Sequence, residues 1–460
     1  MANIIVTSHY TWGDVLPFLR LSRSLKNRGH RVTLLTHGAF AEMASEAGIN
    51  FEAIDSPKDY PQLLKDIGMM GDPLENPRGY MAFNEKYHGT EQLLQEYNRI
   101  AGLCRWEDTV LVARHRSSIA AYLVSEKLGV PVVPVFLAPT YIYHLSAQNE
   151  LIGDFQVNTI NTARRKLGLE PIESWLAWMS SVRSCVGFWP EWFARKEGYG
   201  PFEVSAAGFP LQSVPSNREV PEEAEAFINA GEPPILITGG TSMLLKSNFY
   251  RVAAEACKLL KHRAILVCEH KELIPEELPD FIRAYGFLPL DTILHRMKLV
   301  IHHGGIGTIA GAAHAAVPQL ALAADTDRPD NAMRIKEMGI GEYLPPIQWQ
   351  GAVIAEKLST LMAPAVRMQC ESIAARLKSK NALDTAGEVI ESAVGNKAWI
   401  VKYAIPTAST SASVCPEKDR TQTVRGGIAG EMDPLSGLSE DRKSALLLML
   451  RKKRERGTGT

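Results

Sequence analysis

The sequence predicts an α/β protein with two doubly wound domains and a flexible C-terminal tail that carries a short helix. Three observations predict it. Short apolar runs of buried-strand type alternate with amphipathic helical patterns through both halves of the chain. Residues 212–233, with several Pro, Ser and Glu and little apolar periodicity, divide the halves as a linker. From about residue 396 the character changes, and 405–437 is rich in Thr, Ser, Gly and Pro, a composition that does not build a packed core.

The first half opens with the run Ile4-Ile5-Val6, a loop from His9 to Gly13, and a helix beginning at Val15. Val15, Phe18, Leu19, Leu21 and Leu25 repeat near the 3.6-residue period, and Arg28-Gly29-His30 gives a basic last turn and a glycine stop. Val32 to Thr36 is a second strand, so the start is a βαβ unit of Rossmann-like type. A strand over 109–112, a helix over 119–128 and a strand over 132–136 continue it. The aromatics of 150–200, Trp175 and Trp178 among them, cover the sheet or line a cleft; for those two, three apart on a helix, the core is the better assignment. The second half repeats the alternation: strands over 235–238, 264–268, 299–301 and 319–323, and a helix over 249–260. The expected division is an N-terminal domain over 1–211, the 212–233 linker, a C-terminal domain over 234–395, a flexible segment over 396–437 and a basic amphipathic helix over 438–456.

At 460 residues the chain needs more than one core. A formal net charge of -1 argues against nucleic acid as a partner. The six cysteines are scattered without a CxxC pair, so neither a disulfide framework nor a zinc site is expected, and a reduced, cytoplasmic location fits. The N-terminal apolar run is too short for a signal peptide and no stretch is long enough for a membrane span.

The chemistry concentrates in LVIHHGGIGTIAGAAHAAVPQL, residues 299–320. A strand ends at His302-His303, turns through Gly304, Gly305 and Gly307, and enters a helix at Thr308. Glycines admit a ligand close to the backbone, and the helix start points N–H groups and a positive dipole end at it. With the Thr308 hydroxyl and the His303 ring, this is a metal-free cradle for a diphosphate.

This stretch resembles the donor-site signature of the family 1 glycosyltransferases, whose fold is called GT-B, two Rossmann-like domains facing a cleft. The elements HHGGIGT, AAHAAVPQL and DTDRPDNAMR, the upstream YGFLPLDTILHRMKLVIHHGG, and the N-terminal YTWGDVLPFLRLSRSLKNRGHRVTLLTH all match, most closely the bacterial sterol, antibiotic and rhamnolipid-type members. The resemblance spans about residues 3–395. It implies inverting transfer of a hexose from a UDP- or dTDP-sugar, without metal or other cofactor, to a small apolar or natural-product acceptor. His303, Gly304, Gly305, Gly307 and Thr308 would hold the phosphates, Phe287 and Leu288 the base, Gly240 and Thr241 the phosphates or the sugar, and Asp327 the sugar hydroxyls, with Asn331 supporting that loop. Arg328 departs from the family's usual Gln; a guanidinium only donates, so the sugar is left open.

An inverting transfer needs a base on the N-terminal side of the cleft. Asp14, in the GDV segment, is the first candidate and His9 the second; Asp14 is equally suited to capping the helix beside it. His115 would orient the base, line the acceptor pocket or serve structurally. Tyr10, Trp12 and Tyr141 are the expected acceptor-binding aromatics. The tail segment LSEDRKSALLLMLRKKRER is similar to the opening helix of nonribosomal peptide synthetase condensation domains and raises an assembly-line protein as a partner. Two rival readings stay open: another GT-B enzyme such as a nucleotide-sugar epimerase, and a non-catalytic GT-B scaffold.

Overall fold

The computed structural model describes residues 1–70, 76–105, 108–182, 184–194, 200–211, 219–240, 245 and 247–402. Of the segment expected to be flexible, 396–437, residues 396–402 pack on the first domain, with Trp399 and Val401 buried and the Val401 N–H donating to Ser125 Oγ at 3.1 Å; the remainder, the 438–456 helix and its docking role lie outside the described residues, as does Thr241.

Two sheets form the frame, and every pairing between their strands is parallel. The first comprises β1 (Asn3–Thr7), β2 (Arg31–Thr36), β3 (Asn50–Ala53), β4 (Thr109–Arg114), β5 (Val132–Phe136), β6 (Ser184–Gly187) and β7 (Glu203–Ala206), in the order β3-β2-β1-β4-β5-β6-β7. The second comprises β8 (Ile235–Thr238), β9 (Ala264–Val267), β10 (Ile282–Tyr285), β11 (Leu299–His302), β12 (Gln319–Leu322) and β13 (Gly341–Leu344), in the order β10-β9-β8-β11-β12-β13. Both sheets are doubly wound. Their central strands are buried along their whole length, which is why they read as continuous apolar runs instead of alternating ones.

Each order reverses once, between β1 and β4 in the first sheet and between β8 and β11 in the second. At such a switch point the connections leave to opposite faces, opening a crevice at the carboxyl ends of the strands. The chain therefore holds two crevices, floored by the loops after β1 and β4 and by those after β8 and β11.

Two features depart from expectation. The 212–233 stretch contains a helix, Glu222–Asn229, whose Ala224 and Ile228 are buried among Leu236, Ile265 and Val300 of the second domain. Its acidic first turn suits a helix start, so the polar composition that suggested a linker reflects an exposed helix face. A 27-residue helix, Thr140–Lys166, follows β5, and its interrupted apolar pattern hid it. Trp175 and Trp178 are core residues, as expected, and Trp189 is buried with them. The Trp178 indole N–H donates to Glu126 Oε2 at 2.7 Å, and Glu126 also pairs with the buried Arg164. No described helix is long and apolar enough to cross a membrane, and the five described cysteines are free.

The end of the second domain returns to the first. The Ala382–Ser392 helix packs Leu383, Ala386 and Ile390 into the first domain's core, and Arg28 meets Glu391 at 2.6 and 2.8 Å. Hydrogen bonds from Arg28, reinforced by His30, hold the Glu391 carboxyl at about 2, below its ordinary 4.5. A carboxyl depressed on folding stabilises above its unfolded pKa and loses that stability as pH falls through the folded one. Glu391→Gln is therefore expected to lower Tm by about 1–3 °C at neutral pH. The gap between the two proteins should close as pH drops from about 4.5 to about 2, followed by thermal denaturation across that range; a gap independent of pH would remove the ion pair from the account.

Candidate functional site

The two switch points face one another across a cavity of about 1010 Å³ lined from both domains. On the second-domain side, β11 ends at His302 and the chain turns into the Ile306–His314 helix, with Gly305 as N-cap and no side chain capping its first turn. That end is therefore open to an anion. Beside it stands the His303 ring. A Cβ on Gly240 would come within 2.8 Å of the ring, and one on Gly305 within 2.5 Å. Glycine at both positions is what lets the imidazole lie between the two loops. His303 is 8% exposed and its Nδ1 has no hydrogen-bond partner among the described residues. Burial, with Arg328 nearby, pushes the ring well below its ordinary pKa, so it is a neutral donor at physiological pH. A buried imidazole nitrogen without a partner, next to an open helix end, is a place prepared for a ligand oxygen.

Gly240, Phe287, Leu288, His303, Gly305, Gly307, Thr308, Asp327 and Arg328 all line this part of the cavity, as the sequence led us to expect. Two of the expected residues support it from behind. Gly304 lies behind the turn, its carbonyl accepting from Asn331 Nδ2 at 3.3 Å, and Asn331 also donates to Asp327 Oδ2 at 2.7 Å. Asp327 is shared across the domains: Tyr141 donates its hydroxyl proton to Oδ1 at 3.2 Å, and Thr326 does so at 3.1 Å. Arg328 is 7% exposed, so its side chain is buried in this wall instead of turned to solvent.

On the first-domain side, Tyr10, Trp12, Asp14 and Tyr141 line the cavity. Asp14 belongs to the first turn of the Trp12–Asn27 helix, and its carboxylate does two things at once. Oδ2 accepts from the Thr11 N–H at 3.1 Å and the Thr11 hydroxyl at 2.7 Å, and Oδ1 accepts from Arg114 Nη2 at 2.7 Å. The carboxylate is thus fixed in orientation at the cavity wall, with its side chain 17% exposed.

Two expected residues lie outside the cavity. His9 is 2% exposed, its Nε2 3.2 Å from Glu96 Oε2 and its Nδ1 3.4 Å from Ser118 Oγ. It packs with His37 and His88 in a buried polar cluster behind Tyr10, whose left-handed backbone (φ 84°) puts its hydroxyl 2.7 Å from His88 Nε2. His9 therefore supports the loop from behind and is not part of the cavity lining. His115 stacks on Phe136 at 4.2 Å and turns away from the cavity, so it neither lines the pocket nor pairs with Asp14. Its neighbours Arg114 and Arg116 line the cavity instead, a pair that sequence reasoning missed. Among the described residues no cluster of three or more His, Cys, Asp or Glu is arranged to hold a metal ion.

Comparison with known proteins agrees with this geometry. Residues 4–143 match the glycosyltransferase family 28 N-terminal domain, and residues 255–392 match the C-terminal domain of erythromycin biosynthesis protein CIII-like proteins. The chain is 26% identical over 428 residues to glycosyltransferase GtfE of Amycolatopsis orientalis, covering 88% of this chain and all of that protein. It is 25% identical to the vancomycin aglycone glucosyltransferase of the same organism, covering 79% and 94%. Among solved structures, the calicheamicin glycosyltransferase CalG4 superposes with a TM-score of 0.62 at 20% identity, covering 86% of this chain and 98% of that one. SsfS6 of Streptomyces sp. SF2575, complexed with thymidine diphosphate, superposes with a TM-score of 0.57 at 20% identity, covering 85% and 100%.

Proposed function

Because the chain belongs to the family 1 type of GT-B nucleotide-sugar glycosyltransferases, we propose that it moves a hexose from a UDP- or dTDP-sugar to a hydroxyl of a small apolar or natural-product acceptor. The transfer inverts the anomeric centre and needs no metal ion. The observation that carries this reading is one cavity holding a carboxylate on the first-domain wall and an open helix end with an unpartnered histidine nitrogen on the second-domain wall.

Asp14 takes the acceptor's hydroxyl proton as that oxygen attacks the anomeric carbon from the first-domain side. The new glycosidic C–O bond forms as the bond to the diphosphate breaks. The departing charge is taken up by the His303 N–H, the Thr308 hydroxyl and the first turn of the Ile306–His314 helix. Asp327 receives sugar hydroxyls from a position already set by Asn331 and Tyr141, and Arg328 sets the sugar preference from the same loop. A natural-product acceptor is supported by the vancomycin aglycone and calicheamicin relatives, and a thymidine nucleotide by the complexed SsfS6.

The test is transfer from a panel of α-linked UDP- and dTDP-hexoses to phenolic and polycyclic aglycones in excess EDTA, with products assigned by NMR coupling constants. β-Linked product formed at full rate under chelation is expected. An α-linked product, loss of activity on chelation, or release of nucleotide with no glycoside would each overturn the corresponding part of the reading.

A further inference from the structure

The loop after β4 brings two arginines to the acceptor half of the cavity, and among the described residues only one meets a carboxylate. Arg114 is spoken for: its Nη2 holds Asp14 at 2.7 Å and its Nη1 donates to Ser117 Oγ at 3.1 Å, leaving a buried Nε without a partner. The Arg114–Asp14 pair adds no net charge to the wall. Arg116 lines the same cavity, half-buried, with its guanidinium carbon 5.6 Å from the Tyr80 ring centroid and 6.0 Å from that of Tyr141. Among the described residues no carboxylate pairs with it. The other walls near it are Tyr10, Tyr80 and Tyr141, which are apolar faces with hydroxyl tips. Aromatic faces steady a cation but do not replace the anion it lacks in a partly desolvated pocket.

We infer that the acceptor carries a carboxylate, bound by the planar fork of Arg116, while its aromatic or apolar body lies against Tyr10, Tyr80 and Tyr141. A single unpaired guanidinium matches a monoanion, and the nearby Asp14 carboxylate disfavours a dianion such as a phosphate monoester. Held by its acidic end, such a molecule presents a hydroxyl elsewhere on its frame to Asp14, so Arg116 acts in selecting and aligning the acceptor. This inference rests on the transferase reading and narrows its substrate class.

The test compares two probes of one shape, 6-hydroxy-2-naphthoate and its primary amide, titrated into the full chain in saturating UDP or dTDP and read by calorimetry. The acid is expected to bind about tenfold more tightly than the amide, which is about 1.4 kcal/mol. Arg116→Gln should bring the ratio of the two Kd values to near one. Arg116→Lys, which keeps the charge but not the fork, should retain part of it. Equal binding of acid and amide by the wild-type protein, a ratio unchanged in Arg116→Gln, or no binding of either probe would each overturn the inference. Thermal stabilisation by UDP or dTDP, measured on the same samples, reports the donor site separately. Nucleotide binding without a carboxylate preference sinks the acceptor inference alone, whereas no response to either nucleotide sinks the transferase reading and the inference with it.

Discussion

Replacing His303 by alanine removes most of the thermal stabilisation that UDP or dTDP gives the wild-type protein. At about a hundredfold excess over Kd, a nucleotide that binds only the folded chain stabilises it by about 2.7 kcal/mol. With the usual unfolding entropy per residue, that raises Tm by about 3 °C for a chain of this size. The His303 ring is buried, neutral and held between Gly240 and Gly305, with one nitrogen lacking a partner among the described residues. Its bond to a phosphate oxygen is therefore formed without ordering the side chain anew. Hydrogen bonds to charged groups are worth about 1.5–3 kcal/mol, so Kd should rise about 10- to 100-fold and the shift should shrink to about 1 °C. Because the same bond strengthens as charge builds on the leaving group, turnover should fall by about 10²–10³ as well. A variant that keeps the full nucleotide shift would mean that the diphosphate lies elsewhere.

Asp14→Asn is expected to cut kcat by about 10²–10⁴ while leaving nucleotide affinity unchanged. The substitution is chosen to separate chemistry from architecture. An asparagine oxygen can still accept from Thr11 and keep the helix start, but it cannot take a proton from an acceptor hydroxyl. It also leaves Arg114, 4% exposed in its side chain, without its counter-ion, so a fall in Tm should accompany the loss of rate. Arg114→Met provides the contrast. It disturbs the same ion pair but leaves a carboxylate in place, so its kcat should fall less than that of Asp14→Asn. If Asp14→Asn kept more than about a tenth of the wild-type kcat, the carboxylate would be a cap and an ion-pair partner, and the base would have to be sought elsewhere.

Much of this was legible in the sequence because it is local. The strands at 132–136 and 235–238 and the helices at 119–128 and 249–260 have the expected bounds, since fully buried parallel strands and amphipathic helices leave period and punctuation in the chain. The second-domain wall of the cavity was legible for the same reason: His303, Gly305, Gly307 and Thr308 lie in one turn, and that turn lines it. The first-domain half was legible only in part: Tyr10, Trp12, Asp14 and Tyr141 line it as expected, but Arg114 and Arg116 were missed, because this wall is assembled from the ends of β1 and β4 and the start of the Thr140–Lys166 helix. In the segment Arg114-His115-Arg116 only the histidine was considered for the site, with a structural role among its alternatives, and the structural role is the one observed. Successive residues leaving a strand point to opposite sides, so placing His115 against Phe136 commits both arginines to the cavity. His9 misled in a related way. It follows the strand by two residues, but the left-handed backbone at Tyr10 turns the chain, and the imidazole ends among His37, His88 and Glu96.

The return of the Ala382–Ser392 helix to the first domain gives the molecule the mechanics of a door hung on two pins. The chain passes between the domains once after residue 211 and again just before Ala382, and these passages are neighbours: a Cβ on Gly208 would lie 3.0 Å from that of Ala382. Side by side, the two covalent pins resist sliding and leave a swing about one edge of the cavity as the cheap relative motion of the domains. They also set where the protein can be divided. A fragment ending at 211 would lack the helix that packs on its own first helix and pairs with Arg28. The unit that keeps the first domain's covering intact is therefore discontinuous, joining 1–211 to 382–402.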